Sequence, residues 1–258
     1  MLVAVTIRER LSDTAVIVGR CLRHALRSTD TVITAIAMPV AMMFLFVYVF
    51  GGAIDTGSVS YVNFVVPGIL ILCIGQASPY TALRLNNDVT KGIIDRFRSM
   101  PIAQSALLTG HVVTAVVFTA LSTALLMLFA LAMGFRPAAG LAAWLLAVGI
   151  LFLFTLAMTW VAAVFGLLAK TAEGSVAYSY PITILLFISS AFAPTGSMPR
   201  LVRWFAEHQP LTSIIESVRS LLLNGAAGQN ALTAILWCLG IIVVSAVAAA
   251  QLYRRRTA

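Results

Sequence analysis

Charge is what this sequence has least of. Only 10% of its 258 residues are Asp, Glu, Lys or Arg, while 60% are hydrophobic, and mean hydropathy is +0.99. Soluble domains carry about 25% charged and about 45–50% apolar residues, so a soluble enzyme or binding domain is excluded. Uncharged runs reach the roughly 20 residues that a helix needs to cross a hydrocarbon core of about 30 Å. The class is therefore all-α integral membrane rather than a barrel. Cysteine is scarce as well. Cys21, Cys73 and Cys238 lie far apart, with neither metal-ligand nor disulfide-framework spacing, and read as small buried hydrophobes.

Catalytic motifs are missing too. No G-x-x-x-x-G-K-[ST] loop is present to cradle phosphates, so ATP hydrolysis is not expected of this chain. A G-x-S-x-G elbow and an H-E-x-x-H zinc pair are absent. Glu173, Glu207 and Glu216 are scattered at expected membrane edges rather than paired for acid–base work. No Asp, Glu, Lys or Arg falls inside any of the apolar blocks described below. Ion-coupled carriers place ionisable groups at membrane depth, and here His111 is the one candidate, with a structural role favoured over a proton relay. An intramembrane enzyme and a self-powered ion-coupled carrier remain the alternative readings.

Six apolar blocks are present. They run over about Thr31–Phe50 (interrupted by Pro39), Phe64–Leu83 (with Pro67 and Pro79), Ile102–Met133, Leu141–Ala169, Val176–Ala193 (with Pro181) and Asn230–Leu252. The third and fourth exceed the span length and should tilt or protrude; the Gly- and Pro-containing stretch 134–140 between them signals a turn. Gln76, Ser78, Tyr80 and Thr81 form a polar patch in the second block. Such residues are more often helix–helix glue than substrate contacts. Residues 1–30 read as a basic amphipathic helix on an anionic leaflet, with Arg20, Arg23 and Arg27 on one face, rather than as a cleavable signal. Residues 194–228 are punctuated by Pro194, Pro199 and Pro210 and hold two short amphipathic pieces. They read as helices that dip into or lie on the outer membrane face.

The net charge of +8 collects at the ends of these blocks, which points to a membrane rather than to nucleic acid. With both termini in the cytoplasm, Arg8, Arg10, Arg20, Arg23, Arg27, Arg84, Lys91, Arg96, Arg98, Lys170 and Arg254–Arg256 lie inside. Arg136, Arg200, Arg203 and Arg219 lie outside. That bias predicts six spans in one transmembrane domain over 1–258, as a multi-pass protein of the cell membrane.

The longest charged interval is residues 84–101, RLNNDVTKGIIDRFRSMP. Val89, Ile93, Phe97 and Met100, with Ile94 beside them, make an apolar stripe at helical spacing, and Lys91, Asp95 and Arg98 lie away from it. A cytoplasmic amphipathic helix between two spans has a surface to offer a partner.

At this point the sequence resembles the membrane subunits of type 2 ABC exporters, specifically the daunorubicin/doxorubicin-resistance-like permeases. One match is Asp88, Gly92, Arg96-Phe97 and Pro101, where Asp88 stands in place of the Glu of many members. The other is the stretch 194–225, with Met198-Pro199 and Gln209-Pro210-Leu211-Thr212 at recurrent positions. The resemblance implies export driven by a separate cytoplasmic ATPase subunit, which would bind the ATP; the chain itself needs no cofactor or metal. It implies pairing with a second permease subunit, identical or different. It makes Asp88, Gly92, Ile93, Ile94, Arg96, Phe97 and Pro101 an ATPase-coupling helix, and Met198, Pro199, Gln209 and Pro210 part of an extracellular re-entrant hairpin between spans five and six. An apolar lining suits a hydrophobic or amphiphilic cargo such as a drug, antibiotic or lipid.

Overall fold

The computed structural model describes residues 29–54, 59–90, 104–225 and 230–257, with isolated positions 19, 56 and 228. Among these residues the elements are helical. They are α1 (Thr29–Phe44, continued by a π-helical turn Leu45–Phe50), α2 (Tyr61–Thr90), α3 (Gln104–Ala132) and α4 (Leu141–Leu168). Then come α5 (Ala172–Ala177), α6 (Tyr180–Phe187), a 3-10 turn at Thr195–Ser197, α7 (Arg200–His208), α8 (Pro210–Asn224) and α9 (Asn230–Thr257). Four helices, α2, α3, α4 and α9, are long and apolar enough to cross a membrane, and Ile36–Phe50 is a shorter apolar helix.

α2 is the hub. It packs against α1, α3, α4, α5, α6 and α8, and 72% of its apolar stretch is buried, against 44% or less in the other three long helices. Its Val65–Ile74 run is buried on every side, matching a sequence that is apolar all round rather than striped. At about 1.5 Å per residue its 30 residues span about 45 Å. The helix therefore does not end at Leu83: the residues from Arg84 to Thr90 extend it by two turns.

Lipid tails are as apolar as leucine, so these helices associate through close packing and hydrogen bonds rather than through water exclusion. Small residues make the approach possible. A Cβ on Gly68 would lie 2.8 Å or less from Ala191, and one on Gly166 would lie 2.7 Å from the carbonyl oxygen of Ala82. Hydrogen bonds fix the register. The Asn86 amide donates to the carbonyls of Gly166 (2.9 Å) and Ala169 (2.8 Å), satisfying the C-terminal end of α4 from α2.

Two stretches depart from the sequence reading. The fifth block is not one helix: α5 and α6 are separated at Tyr178–Ser179, and helix is lost again after Phe187. Pro181 does not kink a continuous span but lies in the first turn of α6, where its missing N–H costs no intrahelical bond. The second is 194–228, whose two pieces differ: of the two expected arrangements α8 takes the inserted one, since Ile214, Ile215, Val218, Leu221 and Leu222 are all core residues, packed against α9, α4 and α2. α7, by contrast, buries only Ala206. The expected turn at 134–140 is present, with Gly134 at a φ of +102°. The amphipathic helix expected over 1–30 lies almost wholly outside the described residues.

The two ends of the bundle are defined by contacts. At one, the Arg136 N–H donates to Asn63 Oδ1 (3.0 Å) and the Ala138 N–H to the Leu222 carbonyl (3.0 Å). At the other, Leu85, Leu167 and Ala249 form a small core flanked by Val89, Leu252 and Tyr253.

Candidate functional site

Two polar clusters stand out in the apolar body, one at each end. At the Asn63 end is Arg219, on α8, with a side chain only 9% exposed. Its Nε donates to the Phe64 carbonyl (3.0 Å), its Nη2 to the Ser190 carbonyl (2.7 Å), and its Nη1 to Glu216 one turn earlier. The guanidinium carbon lies 3.9 Å above the Phe64 ring. A planar fork of five donors serves three acceptors at once, which a lysine ammonium cannot reproduce.

What Arg219 holds is the chain segment Ile188–Phe192, whose backbone has left the helix. Its polar groups are met by side chains from elsewhere: Gln209 Nε2 reaches the Ile188 carbonyl (2.9 Å), and Tyr61 donates its hydroxyl to the Phe192 carbonyl (2.9 Å). The Ser190 N–H donates to Thr212 Oγ1 (3.4 Å), and Ala191 sits on Gly68. Unwound backbone away from water must be satisfied in this way. A cavity of about 330 Å³ lies alongside, lined by Phe64, Glu216, Arg219 and Asn224 among others.

At the opposite end, His111 of α3 and Asp88 of α2 meet, Nε2 to Oδ2, at 2.9 Å. Arg84, one turn back on α2, lies 6.0 Å from the ring of Phe118 on α3, so the two contacts share one seam. The polar patch of the second span divides. Ser78 is buried and donates to the Met158 carbonyl (3.4 Å), and Thr81 bonds within its own helix. Gln76 and Tyr80 line a small cavity of about 70 Å³ with Met38, Phe118 and Ser122.

Residues 13–223 match the model of the ABC-2 type transporter family. This chain belongs to the ABC-2 type transporter family. The daunorubicin resistance ABC transporter permease protein DrrB1 of Streptomyces coeruleorubidus is 30% identical over 232 residues, 88% of this chain and 80% of that protein. The probable doxorubicin resistance ABC transporter permease protein DrrC of Mycobacterium tuberculosis is 26% identical over 253 residues, 95% of this chain and 89% of that one. The protein is thus a multi-pass ABC transporter permease, a transport component.

Among the residues singled out in this ABC-2 chain, Met198-Pro199 and Gln209-Pro210 start the two helices of the hairpin. Pro199 caps α7, and Pro210 opens α8 after an extended Gln209, since a residue before proline is driven out of the helical region. Gln209 does more, reaching the unwound segment. Asp88 lies in the last turns of α2, against His111. Gly92, Ile93, Ile94, Arg96, Phe97 and Pro101 lie outside the described residues. The sequence reading missed Arg219 and Asn86. The signal was available for the first: Arg219 sits among Ile215, Val218 and Leu222 with Glu216 three residues before it, an ion pair on an apolar helix. Glu207 is also paired, with Arg203 (2.7 Å) on the exposed face of α7.

Proposed function

We propose that this chain is the membrane permease subunit of an ATP-driven exporter that moves a hydrophobic or amphiphilic compound out of the cell. A separate cytoplasmic ABC ATPase hydrolyses the ATP. The observation that carries this reading is the likeness, along nearly the whole chain, to permeases named for resistance to daunorubicin and doxorubicin. The absence of any phosphate-cradling loop in the sequence agrees with it.

In this reading six spans cross the cell membrane: α1 with its π turn, α2, α3, α4, the broken α5–α6 segment and α9. Both termini and the Asp88 end face the cytoplasm; the Arg219 end, with the α7–α8 hairpin, faces out. The basic residues favour that orientation. Within the stretch 84–101, Gly92, Ile93, Ile94, Arg96, Phe97 and Pro101 dock the ATPase, with Phe97 and the two isoleucines as apolar knobs and Arg96 as polar rim. A second permease subunit completes the transporter.

Doxorubicin is a suitable probe cargo because its fluorescence is quenched on accumulation. Inverted vesicles containing this chain and its co-purified ATPase should accumulate doxorubicin on ATP addition and stop with vanadate. Thiol labelling should find residue 88 accessible only from the cytoplasmic side in an Asp88→Cys variant. Absence of ATP-dependent uptake of doxorubicin and of an amphiphilic lipid probe, or robust ATP hydrolysis by the pure chain, would overturn the reading.

A further inference from the structure

Asp88 is the one coupling-stretch residue of the family pattern that the structure describes, and its carboxylate does not point to a free surface. It is 25% exposed and bonded at 2.9 Å to His111, whose side chain is 9% exposed. The two residues bracket the chain segment 89–110, which connects α2 to α3. Arg84 over Phe118 continues the same seam one turn further in. A carboxylate–imidazole hydrogen bond in so sheltered a place is of the stronger, charge-assisted kind when the imidazole is protonated.

From this geometry we infer that Asp88 and His111 form a clasp inside the permease, which makes α2 and α3 move together when the ATPase displaces the stretch between them. Both are positioning residues; neither touches the ATPase or the cargo. Residues at such a base transmit motion only if the two helices respond as one body. With the clasp open, α3 no longer follows α2 when the intervening residues are displaced, and the motion passes to α4 and α8 through α2 alone, which packs on both. The inference rests on the permease reading above and assigns Asp88 a different task from Phe97.

The test uses Asp88→Asn, His111→Ala and the exchanged pair Asp88→His with His111→Asp, each expressed with the ATPase that co-purifies with the wild-type chain. Each single substitution should leave ATPase recovery within twofold of wild type while ATP-driven doxorubicin accumulation falls at least tenfold. The exchanged pair should recover a third or more of the lost transport, which a merely structural defect would not allow. Loss of ATPase recovery in Asp88→Asn, to the extent seen on disrupting Phe97, would make Asp88 a docking contact and overturn the clasp. So would wild-type transport in the single variants, or an exchanged pair no better than either. If the wild-type chain recovers no ATPase, the permease reading fails by itself. The clasp is then decided on the purified chain: melting temperatures of Asp88→Asn, His111→Ala and the double variant carrying both should be non-additive, and strict additivity would overturn it.

Discussion

The two ends of this bundle are held in different ways. At the Arg219 end, Tyr61, Gln209, Thr212 and Arg219 all bind one unwound segment, and Gly68 closes on it. At the Asp88 end, side chains tie separate pairs of helices instead: Asp88 meets His111 between α2 and α3, Arg84 lies near the Phe118 ring, and Asn86 joins α2 to the end of α4. Hydrogen bonds and close contacts are the chief glue between helices in lipid, so the first end converges on one unwound segment and the second links neighbouring helices to α2.

The contrast can be broken from its strong side. Arg219→Met strands Glu216 and removes the donors to Phe64 and Ser190, and should cost about 3 kcal/mol, the lower end of the range for breaking a buried pair because Glu216 is one-third exposed. Reversible unfolding in mixed detergent measures this, and Arg219→Lys should recover little of it. Gly68→Ala and Gly166→Ala push a methyl into Ala191 and into the Ala82 carbonyl. The same measurement should register about 1–3 kcal/mol for each. Asn86→Ala leaves the Gly166 and Ala169 carbonyls without their donor and should cost about 1–2 kcal/mol, together with faster proteolysis near Lys170.

The smallest effect belongs to Glu207 on α7. The hydrogen bond from Arg203 holds its carboxyl below the ordinary 4.5, so the stabilisation is present above that value and fades only as pH falls through the lower, folded one. Because the pair is exposed, Glu207→Gln should leave the melting temperature unchanged between pH 8 and 6. A shift in that window would mean that α7 is packed against something.

Much of this architecture was legible in the sequence because a span is a composition: the long apolar runs became α2, α3, α4 and α9. Proline positions located the starts of α7 and α8 for the local reason that residues before proline avoid the helix. What could not be read was tertiary. Nothing local to VAYSYPITILLFISS says that helix will fail after Phe187, because the acceptors freed there are matched by Arg219, Gln209 and Tyr61 from distant positions. Whether α8 dips in or lies on a surface is not legible locally either, because Arg219 and Glu216 are sheltered only together and over the distant Phe64. Asp88 and His111 are each visible in the sequence, but the 22 residues between them hide that they meet.

Coupling at the Asp88 end stands or falls with Phe97→Asp. The substitution removes about 1.5–3 kcal/mol of apolar burial and adds the desolvation of a carboxylate; about 3 kcal/mol is a loss of more than a hundredfold in affinity. Co-purification of the ATPase is compared among wild type, Phe97→Asp and, as a control at the far end, Glu207→Gln, at matched membrane levels. The account predicts normal ATPase recovery with Glu207→Gln and none above background with Phe97→Asp. Equal recovery with all three would contradict it.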